Sequence, residues 1–186
     1  MSLEQSTIEE FKKESLGLLK ELNPVVETLE KPSATFPTQL LEEFSQKIDR
    51  IMGTVKTLAI SDPEHKGLRF LGGMTEICKH MGYKAAASQV AGLIPLYAAF
   101  WLDSLEVIEE FIETIDNDSK ATHQRKNFAP ILQKRLEWLN EKTDKAMKEK
   151  GGAAAAGGAT PLGGPALTGK MLTQAEIDAL LNDMIN

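Results

Sequence analysis

Apolar residues recur every three or four positions along almost the whole chain, and no stretch reads as a strand, so helices are predicted nearly throughout. A first helix is expected from Ser6 or Thr7 to about Leu22, with Ile8, Phe11, Leu16, Leu18, Leu19 and Leu22 as its apolar set. Asn23-Pro24 is expected to end or kink it, because proline disfavours helix at the residue before it. A loop around Lys31 to Pro37 follows, and Pro37 suits the first turn of a second helix. In that second helix Leu40, Leu41, Phe44, Ile48, Ile51, Met52, Val55 and Leu58 step by three and four without a miss, until Ser61-Asp62-Pro63 stops it. A third helix is predicted near Glu64 to Met81, breaking around Gly82. A fourth runs from about Lys84 to Asp116, with a kink at Pro95. A fifth covers about Phe128 to Lys148, with Ile131, Leu132, Leu136 and Leu139 on one face. The pattern predicts an all-α fold, an antiparallel four- or five-helix bundle over residues 1–150.

After Lys150 the composition changes abruptly. Residues 151–169 are nearly all Gly, Ala, Pro, Leu and Thr, without a charge. Such a tract is expected to act as a flexible linker over 151–170, reaching roughly 25 Å for about 20 residues. The end of the chain, residues 171–186, regains helical order. Thr173 and Glu176 form an S/T-x-x-E capping box, in which hydroxyl and carboxylate satisfy each other's backbone donors. Ile177, Leu180, Leu181 and Met184 then share one face, while Glu176, Asp178 and Asp183 stay off it. At about 12 residues a helix is marginal alone in water. Its apolar stripe needs a groove, either on a partner or on its own bundle.

Composition narrows the rest. Hydrophobic residues at 42% suffice for a core, and a net charge of −6 argues against nucleic acid, which needs basic clusters. One cysteine, Cys78, leaves no internal disulfide to form, and the polar start MSLEQSTIEE is unlike a secretory leader, so the cytoplasm is expected. Residues 85–102 carry no charge and approach the length of a membrane span. Ser88, Gln89, Gly92 and Pro95 within them favour a buried central helix instead. No metal site is expected, since Cys78 and His80 are two apart on a helix without further ligand spacing. No cofactor fingerprint is present.

The segment Leu172 to Asn182, LTQAEIDALLN, resembles the N-terminal peptide of the flagellar switch protein FliM, whose usual form is LSQAEIDALLN. The one difference, Thr173 for serine, keeps the capping hydroxyl. The resemblance covers 11 of 186 residues. It implies that Leu172, Gln174, Ala175, Glu176, Ile177, Asp178, Ala179, Leu180, Leu181 and Asn182 bind a CheY-type response regulator, which would bring its own Mg. In FliM the motif opens the chain, whereas here it follows a helical body and a linker. That layout is similar to the chemotaxis phosphatase CheZ, although the body does not look like CheZ in sequence.

The segment IMGTVKTLA, Ile51 to Ala59, resembles the H-x-x-K-G-x-A signature of histidine phosphotransfer domains of the kind that opens the chemotaxis kinase CheA. Val55, Lys56 and Ala59 fit. Gly53 stands where the phosphorylated histidine should be, and Thr57 replaces the glycine. The resemblance implies a degenerate phosphotransfer fold over about residues 6–110 that docks a regulator without accepting phosphate. His65, His80 and His123 lie outside the family frame and read as ordinary histidines.

Hydrolysis of an aspartyl phosphate mainly requires a side-chain amide to position an in-line water beside an ordering acid. CheZ-like enzymes use D-x-x-x-Q, which Glu42 and Gln46 match in spacing; another class uses E-x-x-N, which Glu137 and Asn140 match. Acid and amide one turn apart share a helix face, but such pairs are common in polar helices and a solvated face is the plainer explanation of each. The acids Glu106, Glu109, Glu110 and Glu113 read as solvent-facing, with a basic patch on a partner as the alternative. Two functions follow from these residues: a regulator of phospho-CheY with CheZ-like phosphatase activity, or a non-catalytic adaptor or sink for it. Flagellar switch or chemotaxis kinase components and a homodimer are the further partners considered. In a third reading, of a different class, the tail binds its own bundle or a flagellar component and CheY is uninvolved.

Overall fold

The computed structural model describes residues 4–116, 118–153 and 172–185. Among them are six α-helices: α1 (Gln5–Glu30), α2 (Thr38–Ser61), α3 (Lys66–Ser88), α4 (Ile94–Glu113), α5 (Asp118–Ala153) and α6 (Gln174–Ile185). The described residues contain no strand, and the fold is an all-α helical bundle. The expected linker falls on residues outside the described ones, except that Gly151, Gly152 and Ala153 extend α5.

The apolar stripes meet in one core. Its largest fully buried side chains include Trp101 and Tyr97 of α4, Phe44 of α2 and Phe70 of α3. The Trp101 ring lies 4.3 Å from that of Phe44 and 5.8 Å from that of Tyr97, and Phe70 stacks on Phe111 at 4.1 Å. The Trp101 indole N–H donates to the carbonyl of Cys78 at 3.2 Å, so the polar atom of the bulkiest core residue is satisfied. Residues 91–113 are long and apolar enough to cross a membrane, with an 18-residue window of mean hydropathy 1.4. Here they supply the bundle's core through Tyr97, Trp101, Leu105, Ile108, Phe111 and Ile112, packing against α1 and α3.

Ion pairs link the helices along the rim. Lys47 pairs with Glu21 and Arg50 with Glu14 across α2 and α1, while Lys56 pairs with Glu76 and Lys79 with Asp49 across α2 and α3. Lys84 reaches Asp144 of α5 at 3.2 Å. Such surface pairs contribute at most about 1 kcal/mol each, so the core carries most of the stability.

Four predicted boundaries are corrected. First, α1 passes through Pro24 to Glu30, because Val25, Val26 and Leu29 are buried beyond it; Thr28 Oγ1 also donates to the Pro24 carbonyl at 2.8 Å. Second, α3 does not stop at Gly82. A Cβ there would lie 3.2 Å from Ser45 Oγ, so the glycine allows α2 to approach closely while the helix runs on to Ser88. Third, the break lies after Ser88, at Gln89 in the left-handed region (φ 49°), and Pro95 occupies the first turn of α4, where its missing N–H costs nothing. Fourth, α5 begins at Asp118, ten residues ahead of Phe128, and carries Pro130 inside it.

Candidate functional site

The resemblance at the C-terminus falls on a formed helix. Thr173 and Glu176 make the capping box in full. The Thr173 amide and hydroxyl donate to Glu176 Oε2 at 2.7 and 2.9 Å, and the Glu176 amide donates back to Thr173 Oγ1 at 3.3 Å. The Ile177 amide then donates to the Thr173 carbonyl at 3.0 Å, which closes the first turn.

The helix is seated on its own bundle. α6 packs against α3 and α5, with Ile177, Leu181 and Met184 only 3%, 3% and 1% exposed. Leu172 and Leu180 lie partly buried against the same core. Ala175, Asp178, Ala179 and Asn182 face outward. Burying side chains of this kind is favourable by about 1.5–3 kcal/mol each. A lone helix of this length is marginal, so forming α6 and docking it support each other.

Two features of α3 build the seat. Gly73 is a notch: a Cβ there would lie 2.6 Å from Met184 Sδ and 2.7 Å from its Cγ, so only a glycine leaves the methionine its place. Two turns further along, the buried His80 accepts a 3.0 Å hydrogen bond at Nδ1 from the Leu172 amide. That bond satisfies a backbone donor just ahead of the helix and requires the imidazole nitrogen to be unprotonated. Burial pushes the His80 pKa below its ordinary value of 6.5, Lys84 lowers it further, and Glu176 opposes the shift. Lys84 is itself held by Asn140 Oδ1 at 2.8 Å and by Asp144, both on α5. Sequence reasoning missed both parts of this seat. The pair Gly72-Gly73 inside a helical pattern was the available signal, since glycine there implies a close approach; nothing local marked His80.

The segment Ile51 to Ala59 lies on α2. Val55 is fully buried, Ala59 is packed against the core, and Lys56 pairs with Glu76 at 2.9 Å. Gly53 is exposed, and a side chain at that position would meet nothing within 4 Å. Thr57 donates its hydroxyl to the Gly53 carbonyl at 2.9 Å. Gln46, Arg50, Gly53, Thr57 and Ile60 form one outward row, ending in an isoleucine that is 80% exposed.

The acid–amide pairs fare differently. Glu42 is half-buried and Gln46 is exposed, both on α2. Glu137 is exposed and accepts from Gln133 at 3.1 Å, while the amide oxygen of Asn140 is occupied by Lys84. None of the four lines the cavity of about 290 Å³ between α4 and α5, whose apolar floor includes Phe100, Val107 and Leu132 and whose rim holds Asp103, Glu106 and Glu110. Arg135 lies on that rim too, paired with Asp103. Of the histidines, His65 caps α3 by accepting from the Leu68 amide at 3.3 Å, and the side chain of His123 lies outside the described ones. Cys78 is buried, which pushes its thiol up to about 12, with Ser104 opposing. Among the described residues, no three of His, Cys, Asp and Glu gather as a metal site would need.

No family model, curated protein or solved structure matches this chain.

Proposed function

We propose that the chain is a cytoplasmic chemotaxis regulator that captures a CheY-type response regulator through α6, its FliM-like C-terminal helix. The observation that carries this reading is the run LTQAEIDALLN, which departs from the FliM form by one hydroxyl-conserving exchange. The capping box that starts α6 at a defined residue supports it. Carried on the same chain as the bundle, the helix would raise the regulator's local concentration there.

Once captured, the regulator meets one of two bundles. In the first, Gln46 with Glu42 positions the water that hydrolyses the aspartyl phosphate, and the protein shortens the signal as CheZ does. In the second, the bundle is a pseudo-phosphotransfer adaptor or sink. The exposed Gly53, which carries no nucleophile and faces open space, favours the second reading. The occupied amide of Asn140 leaves Glu42 and Gln46 as the better-placed pair for the first.

The test is the decay rate of phospho-CheY with and without the full chain, beside an Ile177→Asp chain. Faster decay that depends on Ile177 would identify a phosphatase. Binding that depends on Ile177 without faster decay would identify the adaptor. Binding that survives Ile177→Asp would remove α6 from the function.

A further inference from the structure

The residues that the FliM resemblance assigns to a partner are, in part, the residues the bundle already covers. Ile177 and Leu181 cannot lie against α3 and α5 and against a response regulator at the same time. The seat is specific in construction. It holds a notch that fits Met184, an imidazole acceptor aimed at the Leu172 amide, and a buried cradle for the stripe between them. A helix resting on a bundle by non-specific collapse needs neither notch nor acceptor.

We infer that the α3–α5 face is a competing intramolecular receptor for α6, so that the free chain is self-inhibited and captures its regulator only from the minority of molecules in which the helix is released. This rests on the reading of α6 as the regulator-binding helix. The apparent affinity of the chain is then its intrinsic affinity reduced by the released fraction. A change that closes the seat without touching α6 raises capture.

Gly73→Leu fills the notch, and His80→Leu removes the acceptor while keeping the site apolar. The experiment titrates CheY activated with beryllofluoride into the full-length wild type, each of these two variants and Ile177→Asp. Amide hydrogen exchange is followed across α1 to α6 in all four. The expected result is roughly tenfold tighter binding by both seat variants, faster exchange confined to residues 174–185, and no binding by Ile177→Asp. Equal affinity of wild type and both seat variants, with α6 exchange accelerated, would overturn self-inhibition while leaving the capture reading intact. Absence of binding by all four chains would overturn the capture reading, and the inhibition with it. Unchanged α6 exchange in both seat variants would show that the seat does not hold the helix. Accelerated exchange across α1 to α4 would mark a variant as misfolded, and the other seat variant then decides.

Discussion

The Leu172 amide and His80 Nδ1 lie 3.0 Å apart although 92 positions separate them in sequence, and a proton on that nitrogen abolishes the bond. In the docked state burial and Lys84 hold the His80 pKa below 6.5, against the pull of Glu176. The docked form therefore binds fewer protons than the released form. Docking is at full strength above pH 6.5 and weakens as pH falls from there through the lowered value. Titrating α6 amide exchange from pH 7.5 downward will show progressive release, and His80→Leu will flatten that dependence.

The hydroxyls of Tyr97 and Thr143 share a buried 2.7 Å hydrogen bond that ties α4 to α5, and burial pushes the tyrosine pKa up to about 12. Thr143→Val leaves the Tyr97 hydroxyl without this partner in an apolar setting, at a cost of about 1–3 kcal/mol. Tyr97→Phe with Thr143→Val will cost less than the sum of the two single changes. Urea midpoints of the three variants check this.

Gln46 and Asn140 separate by stability before any activity is measured. Gln46→Ala, at an exposed position, will change unfolding free energy by less than about 0.5 kcal/mol. Asn140→Ala releases Lys84 from its 2.8 Å bond and will cost about 0.5–1.5 kcal/mol. Loss of phospho-CheY decay in Gln46→Ala at unchanged stability would then report chemistry alone.

Gly53→Ala places a methyl group in open space within α2. It will stabilise the chain by about 0.5–1 kcal/mol, as removing a mid-helix glycine does. A thermal melt settles this. A destabilising result would mean that the outward row from Gln46 to Ile60 is covered in solution.

The core of the bundle was legible because its signal is periodic. Of the stripe from Leu40 to Leu58, Leu41, Phe44, Ile48, Ile51, Val55 and Leu58 are buried, while Leu40 and Met52 at its margins are only partly so. Prolines and glycines misled because their local cost is small beside tertiary burial. Pro24 was outweighed by three buried residues after it, and Gly82 served the approach of α2 instead of ending a helix. The C-terminal helix was legible in its cap and its face. Its seat was not, because a stripe records which residues need covering and never what covers them. Gly73 and His80 acquire meaning only once residues about a hundred positions away are placed beside them.

Among the described residues only Ile60, Ile131, Trp138 and Met147 are large, apolar and exposed. Releasing α6 would add two matching greasy surfaces at once, the helix stripe and the vacated groove between α3 and α5. Such a molecule is prone to self-association, so an open chain is short-lived unless something takes the helix promptly. On the proposed reading the closed form is a storage state, and capture of a regulator would stabilise a conformation that is otherwise a liability in a crowded solution.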